Sequence, residues 1–149
     1  LVSTQALAIG GGRGFPTSGD KPGWVTRLAD GTGAPPERVE QLLNRYGTNI
    51  DGILDAEGKS PTYLLDAPDY SEAEIRWLAR HEMVEHLEDI VLRRTVLAIT
   101  GQLSERDLER IADLAAIELG WTRERKLAEL DATTQVLSAR HRLRYAKSE

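Results

Sequence analysis

The chain has no cysteine, one phenylalanine and one methionine among its 149 residues. Without thiols there are no disulfides, thiolate metal sites or cysteine nucleophiles, and a reducing compartment is the natural expectation. So few aromatics leave the core to Leu, Ile, Val and Ala. Together with plentiful Glu and Arg, that composition favours helix over strand. No apolar run approaches the roughly 20 residues that span a bilayer. The opening stretch, Leu1 to Gly11, has no basic segment of the kind that begins a secretory signal, and no initiating methionine. A piece of a longer protein would read this way. Basic residues are also in deficit, 19 Lys and Arg against 24 Asp and Glu, for a formal net charge of −5. Nucleic acid is therefore a poor partner, because gripping phosphates requires a basic face.

What is present is strongly ordered along the chain. Residues 1–32 hold a short apolar run, Ala6 to Ile9, then Gly10, Gly11, Gly12 and Gly14 and two prolines, Pro16 and Pro22. The segment reads as a linker or arm, with at most one helical turn around Trp24, Val25 and Leu28. Residues 33–149 read as a helical domain. Pro35 and Pro36 suit a first turn, Val39, Leu42, Leu43 and Tyr46 form an apolar stripe, and Gly47 stops that helix as a left-handed cap. Thr48 with Asp51 predicts the cap of a short helix that carries Ile50, Ile53 and Leu54 and ends at Gly58. A loop over Ser60 to Asp69 follows, pinned by Tyr63, Leu64 and Leu65.

Ser71 with Glu74 predicts a capping box, and Tyr70 with Ile75 a hydrophobic staple. The inward face then runs through Leu78, Ala79, Met83, Leu87, Ile90, Val91, Val96 and Leu97 to Gly101, with a bend or restart near Leu87 to Asp89. Ser104 and Asp107 cap a further helix built on Leu108, Ile111, Ala115 and Leu119, which Gly120 ends and on which Trp121 packs back. A last helix starts after Thr122, with Leu127, Leu130 and Leu137 inward. The expected fold is all-α, a small orthogonal bundle of about five to six helices with an irregular N-terminal arm.

Three patterns invite chemistry. His81-Glu82-Met83-Val84-Glu85-His86 resembles a zinc-protease motif, but its histidines are five apart rather than four. On a helix that places them about 140° apart, so they cannot share one ion, and pairs such as His81–Glu85 and Glu82–His86 are the better reading. The glycine run would need a third glycine where Phe15 or Thr17 stands to make a dinucleotide fingerprint, and no helix opens after it. Glu82, Glu85, Glu88 and Asp89 could supply paired carboxylates, yet Arg93 and Arg94 beside them favour ion pairs, Asp89–Arg93 above all. Those two arginines could instead bind a phosphate or carboxylate. The basic end, with Arg140, His141, Arg142, Arg144 and Lys147, reads as a solvated helix terminus or a contact to an anionic membrane surface. No catalytic, cofactor-binding or metal-binding residue is expected.

Two blocks then carry a resemblance. One is Arg45-Tyr46-Gly47-Thr48-Asn49. The other is the ordered series Ala73-Glu74-Ile75, His81-Glu82-Met83, Leu87-Glu88-Asp89-Ile90 and Arg93-Arg94-Thr95, followed by Leu119-Gly120-Trp121. From Val39 to Trp121 the chain resembles the C-terminal cap domain of FAD-dependent glycerol-3-phosphate dehydrogenases and the related glycerophosphate oxidases. The Leu7-Ala8-Ile9-Gly10-Gly11 opening looks like the connection from the catalytic portion.

The resemblance implies a parent oxidoreductase that converts sn-glycerol 3-phosphate to dihydroxyacetone phosphate. Electrons would pass through FAD to quinone or oxygen. Its flavin and substrate sites would lie upstream, so this chain would carry no cofactor and would be inactive alone. Arg45, Tyr46, Gly47, Glu74, Glu82, Asp89, Arg93, Arg94 and Trp121 would hold the cap together or dock it to the catalytic portion. The parent would be cytoplasmic, with peripheral contact at the inner membrane face and self-association as further expectations. A different reading of the same residues is a stand-alone helical interaction module.

Overall fold

The computed structural model describes the backbone of residues 10–141 and the side chains of residues 10–139. Eight helical segments occur among the described residues, and no strand, so the fold is all-α with more segments than the sequence suggested. They are α1 (Lys21–Thr32), α2 (Pro36–Tyr46), α3 (Asp51–Glu57), α4 (Glu72–His81), a π-helix (Asp89–Arg94), α5 (Leu97–Thr100), α6 (Glu105–Leu119) and α7 (Arg123–His141). The chain divides between Ser60 and Pro61 into two compact units.

In the first unit α1 packs against α2. Residues 21–32, expected to be irregular, form a full helix that buries Val25 and Ala29. Gly23 and Gly31 disfavour helix locally, but burial of that face outweighs them, and Pro22 sits in the first turn where its missing N–H costs nothing. The stripe on α2 is as expected: Val39, Leu42 and Leu43 are fully buried. Thr48 does not cap α3, whose N-cap is Ile50 with no side-chain bond. Its hydroxyl is engaged elsewhere, donating to Gly11 O and Arg13 O at 3.2 and 2.9 Å. Gly47 is also not a left-handed cap. Its φ of 67° and ψ of −143° lie in a region that essentially only glycine occupies.

In the second unit α4 packs along α6, and α6 against α7. One apolar cluster fills the space between, running from Leu64 through Ile75, Leu87, Ile90, Leu97, Leu108 and Ile111 to Leu137. The caps read from sequence are present. Ser71 Oγ accepts the Glu74 N–H at 2.9 Å, Ser104 Oγ accepts the Asp107 N–H at 3.0 Å, and Tyr70 and Ile75 are buried together at the start of α4. Gly120 is left-handed, and the Trp121 N–H donates to Ala116 O at 2.9 Å, the six-to-one bond of a Schellman motif.

The long inward face from Ile75 to Gly101 is not one bent helix. α4 ends at His81, and Met83 takes a φ of 51°, alone among the described non-glycine residues in having a positive value. The chain turns through residues 82–86 and restarts at Leu87, as expected, but as a π-helix that closes with the Thr95 N–H on Ile90 O at 2.9 Å. Helical spacing no longer applies past His81, so Met83 and Val96 point outward instead of in (89% and 49% exposed). Leu127 is likewise exposed on α7. Of the three residues expected to pin the 60–69 loop, only Leu64 is buried.

Candidate functional site

The densest polar arrangement lies where the turn after α4 meets α7. A chain that leaves a helix and restarts exposes N–H groups that need acceptors. Here carboxylates supply them. Asp89 Oδ2 accepts the N–H groups of Glu85 and His86 at 3.2 and 3.0 Å. Glu129, on α7, accepts the Leu87 N–H through Oε2 at 2.9 Å. Its other oxygen lies 3.0 Å from His86 Nδ1 and 2.6 Å from Arg125 Nη2. The Arg125 guanidinium also stands over the Trp121 ring, 6.0 Å from its centroid.

These contacts set the titration of the group. The hydrogen bond from His86 to Glu129, and the charge of that carboxylate, hold the imidazole above its ordinary value against the opposing effects of burial and Arg125. Burial pushes Glu129 upward, but the Leu87 N–H, His86 and Arg125 outweigh it and bring the carboxyl below the usual range. Asp89 behaves the same way: burial raises it, and the His86 and Glu85 N–H groups with Arg93 lower it further.

The paired-carboxylate reading resolves into ion pairs. Arg93 lies 2.9 Å from Asp89 and 3.6 Å from Glu88, and Arg94 lies 3.5 Å from Glu82. The expected pairs His81–Glu85 and Glu82–His86 are replaced. His81 Nδ1 donates to Trp77 O, 3.0 Å away, and its ring stacks on that of Trp77, while His86 turns to Glu129. The two histidines therefore diverge. Among the described residues no group of three or more His, Asp or Glu side chains could hold a metal ion.

Glu74 is fully buried at the third position of α4, and Arg45 and Tyr46 are half-buried at the end of α2. Gly47 meets Gly11 backbone to backbone. The side chains of the basic end, Arg140 to Lys147, and the Ala6 to Ile9 run lie outside the described residues.

Two single carboxylates and two ion pairs carry structure that sequence reasoning missed. Asp107 completes the Ser104 cap through its N–H, and its buried carboxylate also accepts the N–H groups of Leu65 and Asp66 at 3.0 and 2.9 Å, pinning the 60–69 loop. Glu129 gave no signal at all. Neither did Arg38, which makes a bidentate buried pair with Glu57. Glu72 and Arg110 join α4 to α6 in a forked pair at 2.7 and 2.6 Å.

What this geometry defines is an all-helical chain in which Asp89, Asp107 and Glu129 accept N–H groups at turns and loops, while Arg93 pairs with Asp89 and Arg94 with Glu82. The chain belongs to the family described as the C-terminal domain of alpha-glycerophosphate oxidase, which matches residues 2–126. It is 36% identical over 107 residues to a glycerol-3-phosphate dehydrogenase of Mycobacterium leprae, covering 67% of this chain and 18% of that protein. It is 37% identical over 94 residues to glycerol-3-phosphate dehydrogenase 2 of Mycobacterium bovis, 60% of this chain and 16% of that one. Against the mitochondrial glycerol-3-phosphate dehydrogenase of Mesocricetus auratus it is 30% identical over 142 residues, 90% and 19% respectively. The chain thus spans less than a fifth of the length of these relatives.

FAD, implied by the family resemblance, does not fit the residues present. The space beside Gly11 is filled by Tyr46 O and Gly47, and its carbonyl is taken by Thr48, so neither is open to a phosphate.

Proposed function

We propose that this chain is the non-catalytic C-terminal helical portion of an FAD-dependent glycerol-3-phosphate dehydrogenase, and that its partner is the flavin and substrate portion of the same polypeptide. The carrying observation is the family match over residues 2–126, together with relatives whose names give that activity and whose length is more than five times the matched share. In this reading Arg45, Tyr46, Gly47, Glu74, Glu82, Asp89, Arg93, Arg94 and Trp121 serve the scaffold. Those with described contacts support that role, because they face other protein groups within the fold. The parent reaction is the oxidation of sn-glycerol 3-phosphate to dihydroxyacetone phosphate.

Two expression products test this. The 149-residue chain is expected to purify without flavin absorbance and without glycerol-3-phosphate oxidation, whereas the gene product including upstream sequence carries both. Stoichiometric flavin on the short chain would overturn the proposal.

The parent is further proposed to lie in the cytoplasm in peripheral contact with the inner membrane face and to self-associate. Among the described residues no helix is long and apolar enough to cross a membrane. Salt extraction of the parent from a membrane fraction, followed by light scattering, tests both points. Recovery of a monomer from the soluble fraction alone would reject them.

A further inference from the structure

We propose that the Tyr46–Gly47–Thr48 turn is a docking site for the glycine-rich segment Gly10 to Arg13, and that this clamp fixes the direction from which the preceding polypeptide reaches the helical unit. The inference rests on reading the chain as the C-terminal portion of a longer enzyme.

The contact is built from backbone. The Thr48 N–H donates to Gly11 O at 2.8 Å, and the Thr48 hydroxyl reaches Gly11 O and Arg13 O at 3.2 and 2.9 Å. A Cβ on Gly11 would stand 2.3 Å from Tyr46 O, and one on Gly47 would stand 2.1 Å from Gly11 O. Both glycines have positive φ, 73° and 67°. Two backbones approach here more closely than any side chain permits, and each partner has to be glycine for its own reason. A tether selected only for flexibility needs neither restriction. Downstream, the same segment is held again: Lys21 Nζ lies 2.7 Å from Glu40 and 3.0 Å from Asn44, both on α2. The stretch from Gly11 to Lys21 is therefore fastened to the α2 end of the unit at both of its ends. The occupant of the turn is this segment of the chain itself, recognised by its carbonyl groups and its lack of a side chain at position 11.

Limited trypsinolysis of the 149-residue chain tests the clamp, because the Arg13 carbonyl is one of its acceptors and the Arg13–Gly14 bond is a trypsin site. Gly11→Ala changes the segment without altering α2 or α3, and Thr48→Val removes the hydroxyl. Each is expected to speed cleavage after Arg13 by about fivefold to tenfold, the weight of one or two lost hydrogen bonds. Thr48→Ser is expected to keep the wild-type rate. Cleavage after Arg27, inside α1, serves as the control for general unfolding. Equal Arg13 cleavage in wild type and Gly11→Ala would overturn the proposal.

In the full-length parent, distances between spin labels on the upstream portion and on α2 should broaden in Gly11→Ala while flavin content stays unchanged. An unchanged distance distribution would equally overturn it. Should the parent bind no flavin, the reading of the parent fails, while the cleavage contrast and the distance change still decide the clamp.

Discussion

Asp107 shows how one buried carboxylate can organise a segment with little structure of its own. It holds two consecutive N–H groups of the 60–69 loop while its own N–H completes the cap of α6. Asp107→Ala leaves both donors without an acceptor and should cost about 3 kcal/mol in urea unfolding. Asp107→Asn, which keeps one acceptor oxygen, should recover part of that.

The node at Glu129 makes a prediction in pH. The imidazole of His86 is raised above 6.5 in the folded chain, so its stabilising contribution is complete below that pH and is lost as pH climbs through the folded value. Asp89 and Glu129 are lowered from 3.8 and 4.5, so their contributions are present above those values and are lost as pH falls through the folded ones. Stability is expected to be greatest between about pH 4.5 and 6.5 from these three groups. Glu129→Gln should return His86 toward its ordinary value, read directly from the titration of its ring protons by NMR. An unshifted His86 titration in that variant would refute the assignment. Ser71 and Ser104 could be read from their neighbours in sequence. Glu129 could not, because the N–H it satisfies belongs to Leu87, 42 residues away.

At the scale of elements, local signals located the starts of α4, α6 and α7 well, missed those of α1 and α3, and gave the continuity of the 75–101 stretch poorly. Ser71, Ser104 and Thr122 act within three residues of themselves, so the cap chemistry is written locally. The interruption after His81 is not. Residues 82–86 retain ordinary helix formers, and the chain turns because Val84 and Leu87 are drawn into the core and because Asp89 and Glu129 receive the freed N–H groups. Met83 bears the strain of that turn at a φ of 51° with its side chain almost wholly exposed. Met83→Gly is therefore expected to stabilise the protein by about 0.5–1 kcal/mol, since it relieves a left-handed backbone and gives up little packing. A lowered melting temperature would mean that the side chain contributes packing its exposure does not reveal. α1 is the opposite case. Its glycines argued against a helix, and burial of Val25 and Ala29 overrode them.

At the scale of the molecule, the large apolar cluster draws every member from Leu64 to Leu137, within the second unit. A fragment starting at Pro61 should consequently fold and unfold cooperatively by circular dichroism. A fragment without a sigmoidal transition would show that residues before Ser60 are needed to complete that core. The sequence by itself determined the helical class, the N-terminal caps of α4, α6 and α7, the stripe on α2 and the ordered blocks that carry the family resemblance, because each depends on residues no more than a few positions apart or on their linear order. Only the tertiary structure decided where the long inward face breaks, which carboxylates hold the exposed N–H groups, and that Gly11 and Gly47 meet. Glu129 with Leu87 and Gly11 with Gly47 are separated by tens of positions, and no local propensity or spacing encodes such a meeting; Asp89 reaches only to Glu85 and His86, but its task arises once the break after α4 has freed their N–H groups.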